Sequence, residues 1–485
     1  MSLLEATRRT AARHARAAGL RALAAGLVAM LLALGSGTPA RADDDAIEVL
    51  SSTAVSEFPE GIRFSLEATG HIDEVVVRFA AEGQRASQYD YLEVVDSETS
   101  AGPGSRAELL YRTNTSARYI PPGTVLRYYF ELTGGEGETV ETDPQELVLL
   151  DSRFEWDAVT EGPVTVFYHG PVTTRARSML DTSLQTIAAM GPMLGVADDD
   201  RPINVTMYNN SAEMFDATLP RSGAIARELV TEGLAFSDRS AVIMNGNSRR
   251  ATGTMSHELT HILIGRAVSG ARSALPIWLN EGLAEYANVD PGVSYRRYLE
   301  WAIDTGRLLP LTALDTFPGD PDLTIVAYGH AQSVIAFLVR EFGPEAMGAF
   351  LAEFNTSRRL DDAMEAVFGF DRKGLDAAWR EAVGADPYVE AAAAPLPTAR
   401  PLPTLVPYSL TPMPAPSPDA AAIPTPTPAP APAATTEQPS GGGATGGGCS
   451  APAGAAPPVE AASAALLLAV AAGAYRTTRG GRRGR

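Results

Sequence analysis

The string His257-Glu258-Leu259-Thr260-His261 holds the residues whose types and spacing point most directly to chemistry. On a helix, positions i and i+4 lie one above the other, so the two imidazoles are presented from one face to one point. That is half of a zinc site, and Glu258 falls beside it, where a carboxylate can take a proton from an activated water. Leu259, Ile262 and Leu263 would seat the helix against a core and leave the histidine edge towards a cleft. Strings of this kind also arise by chance on surface helices. Here the flanks are too apolar for exposure, and buried ionisable groups need partners, which a metal supplies.

Catalytic zinc usually takes three protein ligands and keeps a fourth place open, so a third ligand is sought downstream. With Cys449 the only cysteine, any metal must use His, Glu or Asp. Glu281 is the candidate, in a second expected helix with Trp278, Leu279 and Leu283 around it. Glu285 lies one turn further on the same side, where it can accept a hydrogen bond from the ring of a zinc-bound histidine.

These residues need elements to position them. Residues 164–168, 203–208 and 241–245 read as strands, the last just before the histidine helix. Helices are expected over 173–190, 276–288, 294–305, 326–342, 344–354, 360–368 and 374–383, which makes an α+β domain over 154–387. Before it, residues 46–150 alternate apolar and polar positions, as in Ile62-Arg63-Phe64-Ser65-Leu66, with Gly, Pro and Asp turns between runs. That pattern predicts an all-β sandwich, immunoglobulin- or fibronectin III-like, whose job could be substrate presentation, wall binding or spacing. His71 stands alone there and reads as a surface residue, and Asp198-Asp199-Asp200 reads as a solvated loop.

The chain has 485 residues and a net charge of −19, with 58 acidic against 39 basic side chains. Much of the positive charge sits at the termini, so the folded middle is more acidic still, which argues against nucleic acid and anionic membrane surfaces as partners. Residues 1–42 combine arginines, a short apolar run and an Ala-x-Ala exit, the pattern of a signal peptide. Residues 388–448 are a Pro/Ala/Gly-rich linker, and 449–485 carry an apolar stretch followed by arginines. This tail resembles myxobacterial C-terminal sorting tails, in which a Cys-Ser pair precedes a short helix and a basic end. The resemblance implies removal of the helix and a lipid on Cys449; a simple tail anchor is the alternative reading.

His257-Glu258-Leu259-Thr260-His261 together with Trp278-Leu279-Asn280-Glu281-Gly282-Leu283-Ala284 resembles the gluzincin metallopeptidases, and within them the bacterial peptidase MA-like domains. The resemblance implies a zincin-like fold with Zn2+ held by His257, His261 and Glu281, and Glu258 as general base and then proton donor to the leaving amine. It also implies that strand 241–245 is the edge along which a peptide pairs its backbone. A tyrosine or histidine from a later helix would stabilise the oxyanion, and Tyr328 is favoured over His330. No Gly-x-Met-Glu-Asn string precedes the histidine helix, so aminopeptidase action is not implied. The expected protein is an exported, monomeric zinc metallopeptidase tethered to the cell surface through its tail and acting on peptides or proteins. Its rivals are a surface binding or adhesion protein with a structural metal site, and an adhesin whose sandwich does the work.

Overall fold

The computed structural model describes residues 47–389, apart from 85, 136, 219–231, 270–274 and 293. The expected signal segment and C-terminal tail lie outside the described residues.

The alternating pattern of the N-terminal region folds into two antiparallel sheets. With strands numbered in chain order, one runs β1 (Val49–Glu57), β2 (Gly61–Thr69), β6 (Gly102–Arg112), β5 (Glu93–Thr99). The other runs β4 (Gln88–Tyr91), β3 (Ile72–Ala81), β7 (Val125–Gly134), β8 (Thr139–Glu141), with β9 (Gln145–Val148) also on β7. Period two sends Ile62, Phe64 and Leu66 of β2, and Leu126, Tyr128 and Phe130 of β7, into one shared core, where Phe64 and Phe79 have centroids 5.5 Å apart. The immunoglobulin or fibronectin III expectation fits these sheets only loosely, because the last strand is broken into two short pieces that share one neighbour.

A third, mixed sheet follows: β10 (Asp157–Glu161), β11 (Val164–Tyr168), β12 (Ile203–Tyr208), β14 (Ala241–Asn245), β13 (Gly233–Phe236). Strands β11, β12 and β14 are parallel, with antiparallel β10 and β13 outside them. The crossover from β11 to β12 is helix α1 (Thr173–Leu194). This ordering corrects one expectation. Strand Ala241–Asn245 is not an edge; it is hydrogen-bonded on both sides, and Gly233–Phe236 is the outer strand among the described residues. All five residues of β14 are buried, as a strand covered on both faces and both edges must be, whereas β13 was too short and too close to turn residues to stand out in the sequence.

Both faces of this sheet are covered. On β12, Ile203, Val205 and Met207 pack towards the helices, while Tyr208 joins the sandwich core with Leu234 and Ile243. On the same side Asn204 Nδ2 donates to Gly123 O at 2.8 Å and the Tyr208 hydroxyl meets buried Asp151 at 3.1 Å. The sandwich is therefore packed directly against the sheet.

The remaining helices are α2 (Ser211–Asp216), α3 (Ala251–Ala267), α4 (Ile277–Ala287), α5 (Tyr295–Asp304), α6 (Pro321–Phe342), α7 (Pro344–Ser357), α8 (Leu360–Phe368) and α9 (Arg372–Val383). Helix α6 starts five residues before the expected 326, because Asp320 caps the helix by accepting from Asp322 N and Leu323 N and Pro321 takes the first turn. Its Asp322–Phe342 stretch is long and apolar enough to cross a membrane, yet 67% of its most apolar window is buried in the protein, so the apolarity serves a core.

Asp199 departs from the solvated-loop expectation. It accepts from Arg201 Nε at 2.9 Å and pairs with buried Arg266 at 3.3 Å. The two guanidinium groups hold its carboxyl below the usual range, with burial opposing. His71 is exposed, 3.2 Å from Asp73.

His330 of α6 is fully buried, stacked on Trp379 at 4.0 Å. Burial first, and then nearby Arg380, push its pKa down to about 3. The folded imidazole is neutral where the unfolded one, near 6.5, takes up a proton, so stability is lost as pH falls from about 6.5 to about 3. Urea unfolding at pH 7.0 and 4.5 checks this: His330→Phe is expected to lose about 2 kcal/mol less than wild type over that interval. Equal losses would remove His330 as the titrating group.

Candidate metal centre

Helix α3 is buried on nearly every side. Met255, Leu259 and Ile262 face the mixed sheet, while Leu263 and Ile264 join the helical core with Trp278, Leu279 and Leu283 of α4. Both histidines are buried: His257 is 1% exposed and His261 5%. Helix α4 lies across them, and its other side is backed closely against α6 at Gly282, which has no side chain. A Cβ there would meet Ala331 O of α6 at 2.8 Å.

That approach brings Glu281 to the histidine pair. One ligand atom each from His257, His261 and Glu281 lies within 4.8 Å of the others. The two Nε2 atoms are 3.1 Å apart, and Glu281 is 3.5 Å from His257 Nε2 and 3.8 Å from His261 Nε2. The far ring nitrogens are engaged from behind: His257 Nδ1 lies 3.2 Å from Glu285 Oε1, and His261 Nδ1 lies 3.2 Å from Asn280 Oδ1. With the proton of each ring placed on Nδ1, facing these oxygens, both Nε2 lone pairs turn towards one another. Two facing lone pairs repel unless a cation lies between them. The pKa of His257 shows the same demand: burial opposes protonation, but hydrogen bonds to Glu281 and Glu285 outweigh it and raise the value well above the usual one.

A divalent metal fits this donor set. Two imidazole nitrogens and a carboxylate are the ligands zinc takes, and two nitrogens on one tetrahedral zinc stand about 3.3 Å apart. Glu285 is further fixed by Asn288 Nδ2 at 3.0 Å and by a hydrogen bond from Tyr295.

Glu258 is 2% exposed and its pKa is pushed up to about 7, first by burial and then by Glu281 and Glu285, against the pull of His257 and of a hydrogen bond from the Ala235 backbone. Strand β13 passes hard against it. A Cβ on Gly233 would meet Glu258 Cγ at 2.7 Å and Thr254 Cγ2 at 2.6 Å, so only glycine fits there. The outer strand and the carboxylate are thereby held side by side.

Tyr328 is fully buried, with Phe317 edge-on at 4.9 Å and Tyr295 stacked at 6.3 Å. Burial, followed by the charge of Glu281, raises its pKa well above the usual tyrosine value. His330, two residues along, lies on the other side of α6 against Trp379. The geometry thus brings together His257, Glu258, His261, Glu281 and Glu285, sets Tyr328 within their electrostatic reach, and leaves His330 out. Asn280, Tyr295 and Gly233 escaped the sequence reading. Asn280 adjoins Glu281 and could have been found by asking what orients the second histidine, but Tyr295 and Gly233 arrive through tertiary packing.

No curated protein sequence is significantly similar to this chain. Among solved structures, yeast LTA4 hydrolase in complex with bestatin shares 12% identity at a TM-score of 0.31, over 69% of this chain and 66% of that one. The chain thus spans just under two thirds of the yeast protein's length. A two-domain M1 zinc metallopeptidase mutant bound to tryptophan shares 12% identity at a TM-score of 0.30, over 69% and 92%. A mutant M1 zinc metallopeptidase from Deinococcus radiodurans bound to a Tyr-Ser-Ala substrate shares 13% at 0.29, over 66% and 89%. Kinship rests instead on the sequence of the helical domain. Residues 182–385, which hold the histidine pair, Glu258 and Glu281, match the Peptidase MA superfamily.

Proposed function

We propose that this protein is a zinc-dependent peptidase, exported and held at the cell surface by its C-terminal tail. The observation that carries the activity is the buried convergence of His257, His261 and Glu281 beside an intact Glu258. A purely structural metal clamp has no use for a general base at that place.

His257, His261 and Glu281 would hold the zinc, which when bound supplies a Lewis acid that polarises a carbonyl and acidifies water. Glu285 and Asn280 keep the two imidazoles in the tautomer that offers Nε2. Glu258 takes the proton of the attacking water on its carboxylate and returns it to the leaving amine nitrogen. The phenol of Tyr328, kept protonated by burial and by surrounding carboxylates, donates to the developing oxyanion. Strand Gly233–Phe236, the outer strand among the described residues, offers its outer edge to an extended substrate backbone, next to Glu258. This places the peptide along β13 rather than β14. The N-terminal arginine-rich segment and the Cys449 tail support export and tethering by their sequence alone.

Glu258→Gln is expected to keep stoichiometric zinc and lose about 10²–10⁴-fold in kcat, while His257→Ala loses both metal and turnover. Metal analysis with a peptide-library digest, with and without chelator, reads both, and full turnover in the Gln variant would refute the mechanism. Glu285→Ala should weaken zinc about 10–100-fold in a chelator competition. Tyr328→Phe should lower kcat about 10²–10³-fold with little change in KM, and unchanged turnover would remove it from the mechanism.

A further inference from the structure

A sizeable cavity lies away from the histidines. It is a space of about 720 Å³ in the seam between the sandwich and the mixed sheet, a size that suits a small ligand. Glu82 and Val125 of the sandwich form one wall, and the β13–β14 turn with the last turn of α3 forms the other. None of His257, Glu258, His261 or Glu281 lines it.

Its lining runs against the composition of the chain. In a protein of net charge −19, Arg201, Arg239, Arg266 and Arg358 meet at this one cavity, faced by two carboxylates, Glu82 and Asp238. Asp199 lies behind the wall and is taken up by Arg201 and Arg266. Asp238 is shared between Gln84 at 3.3 Å and Arg239 at 3.4 Å. Arg358 is exposed at the C-terminal end of α7, with φ 59°.

Arg266 is the deepest of the four, 6% exposed. Its Nη2 donates to Arg201 O at 2.8 Å and Pro202 O at 3.1 Å, and lies 3.2 Å from Ser240 Oγ, yet its Nε is buried without a hydrogen-bond partner. Native proteins rarely leave such a donor idle, and an anion is the partner a guanidinium N–H takes best.

We propose that this seam cavity is a binding site for an anionic small molecule, a phosphate monoester or a dicarboxylate, held by Arg239 and Arg358, with Ser237 and Ser240 supplying hydroxyl groups. Four guanidinium groups outnumber Glu82, Asp238 and Asp199 together, and the planar forks of arginine suit oxyanions. Neither zinc nor peptidase activity is needed for binding.

Titration calorimetry on the full chain at low ionic strength, with inorganic phosphate in one arm and succinate in the other, tests this and separates the two chemistries. At least one probe should bind saturably with a Kd of about 1 mM or tighter. The Arg239→Gln/Arg358→Gln pair should bind at least about tenfold more weakly, and Arg296→Gln, an exposed arginine of α5, should bind as wild type. Arg266 is left intact because its removal would unfold the 199–202 turn. Absence of saturable binding with both probes, equal binding in the double variant, or equal weakening in Arg296→Gln would overturn the proposal.

Discussion

Everything around the centre answers one constraint: five ionisable side chains, His257, Glu258, His261, Glu281 and Glu285, are each 5% exposed or less inside an apolar packing of helices. Water cannot solvate them, so they must satisfy one another. Three carboxylates and two imidazoles do so only if positive charge sits among them, as protons or as a metal. The raised pKa values of His257 and Glu258 are that demand written in protons. The tight approach of β13 through Gly233, with α4 seated on α6 at Gly282, keeps the groups close enough for the compensation to work.

The mixed sheet serves two masters because its strands alternate. Met207, Val242 and Met244 form the floor for the histidine helix, and the intervening Tyr208 and Ile243 are covered by the sandwich. The N-terminal region therefore completes a wall that would otherwise expose a wide apolar face. Tyr119 reaches from the sandwich to donate to Ala217 O at 2.7 Å and lies 6.0 Å from Phe236 on β13, so the sandwich also braces the strand that flanks Glu258.

Periodicity made most elements legible. Residues 203–208, 241–245 and 360–368 form elements with the bounds the sequence predicts, and the i, i+4 histidines lie on one helix face. Strand order was not legible, since hydrogen-bond neighbours are chosen by tertiary packing, and so 241–245 was misread as an edge. The depth of the site was hidden for a similar reason. Leu259, Ile262 and Leu263 mark one buried face, but the burial of the histidine face depends on α4 crossing it. Asn280 and Glu285 belong to the motif and could be read, whereas Tyr295 comes from a helix with no signal of its own beyond amphipathicity.

The choice between Tyr328 and His330 shows what geometry adds to composition. Both are polar aromatic residues on one helix, and at about 100° per residue two positions apart means nearly opposite faces. Only one can look towards Glu281. The face that meets Tyr295 and Phe317 carries Tyr328, and the face that meets Trp379 carries His330. Their environments then fix what each can do. Burial near Arg380 keeps the imidazole neutral and committed to the core, while burial near three carboxylates keeps the phenol protonated. A tyrosine that keeps its proton in such a site has an O–H to donate, which is the property an oxyanion requires.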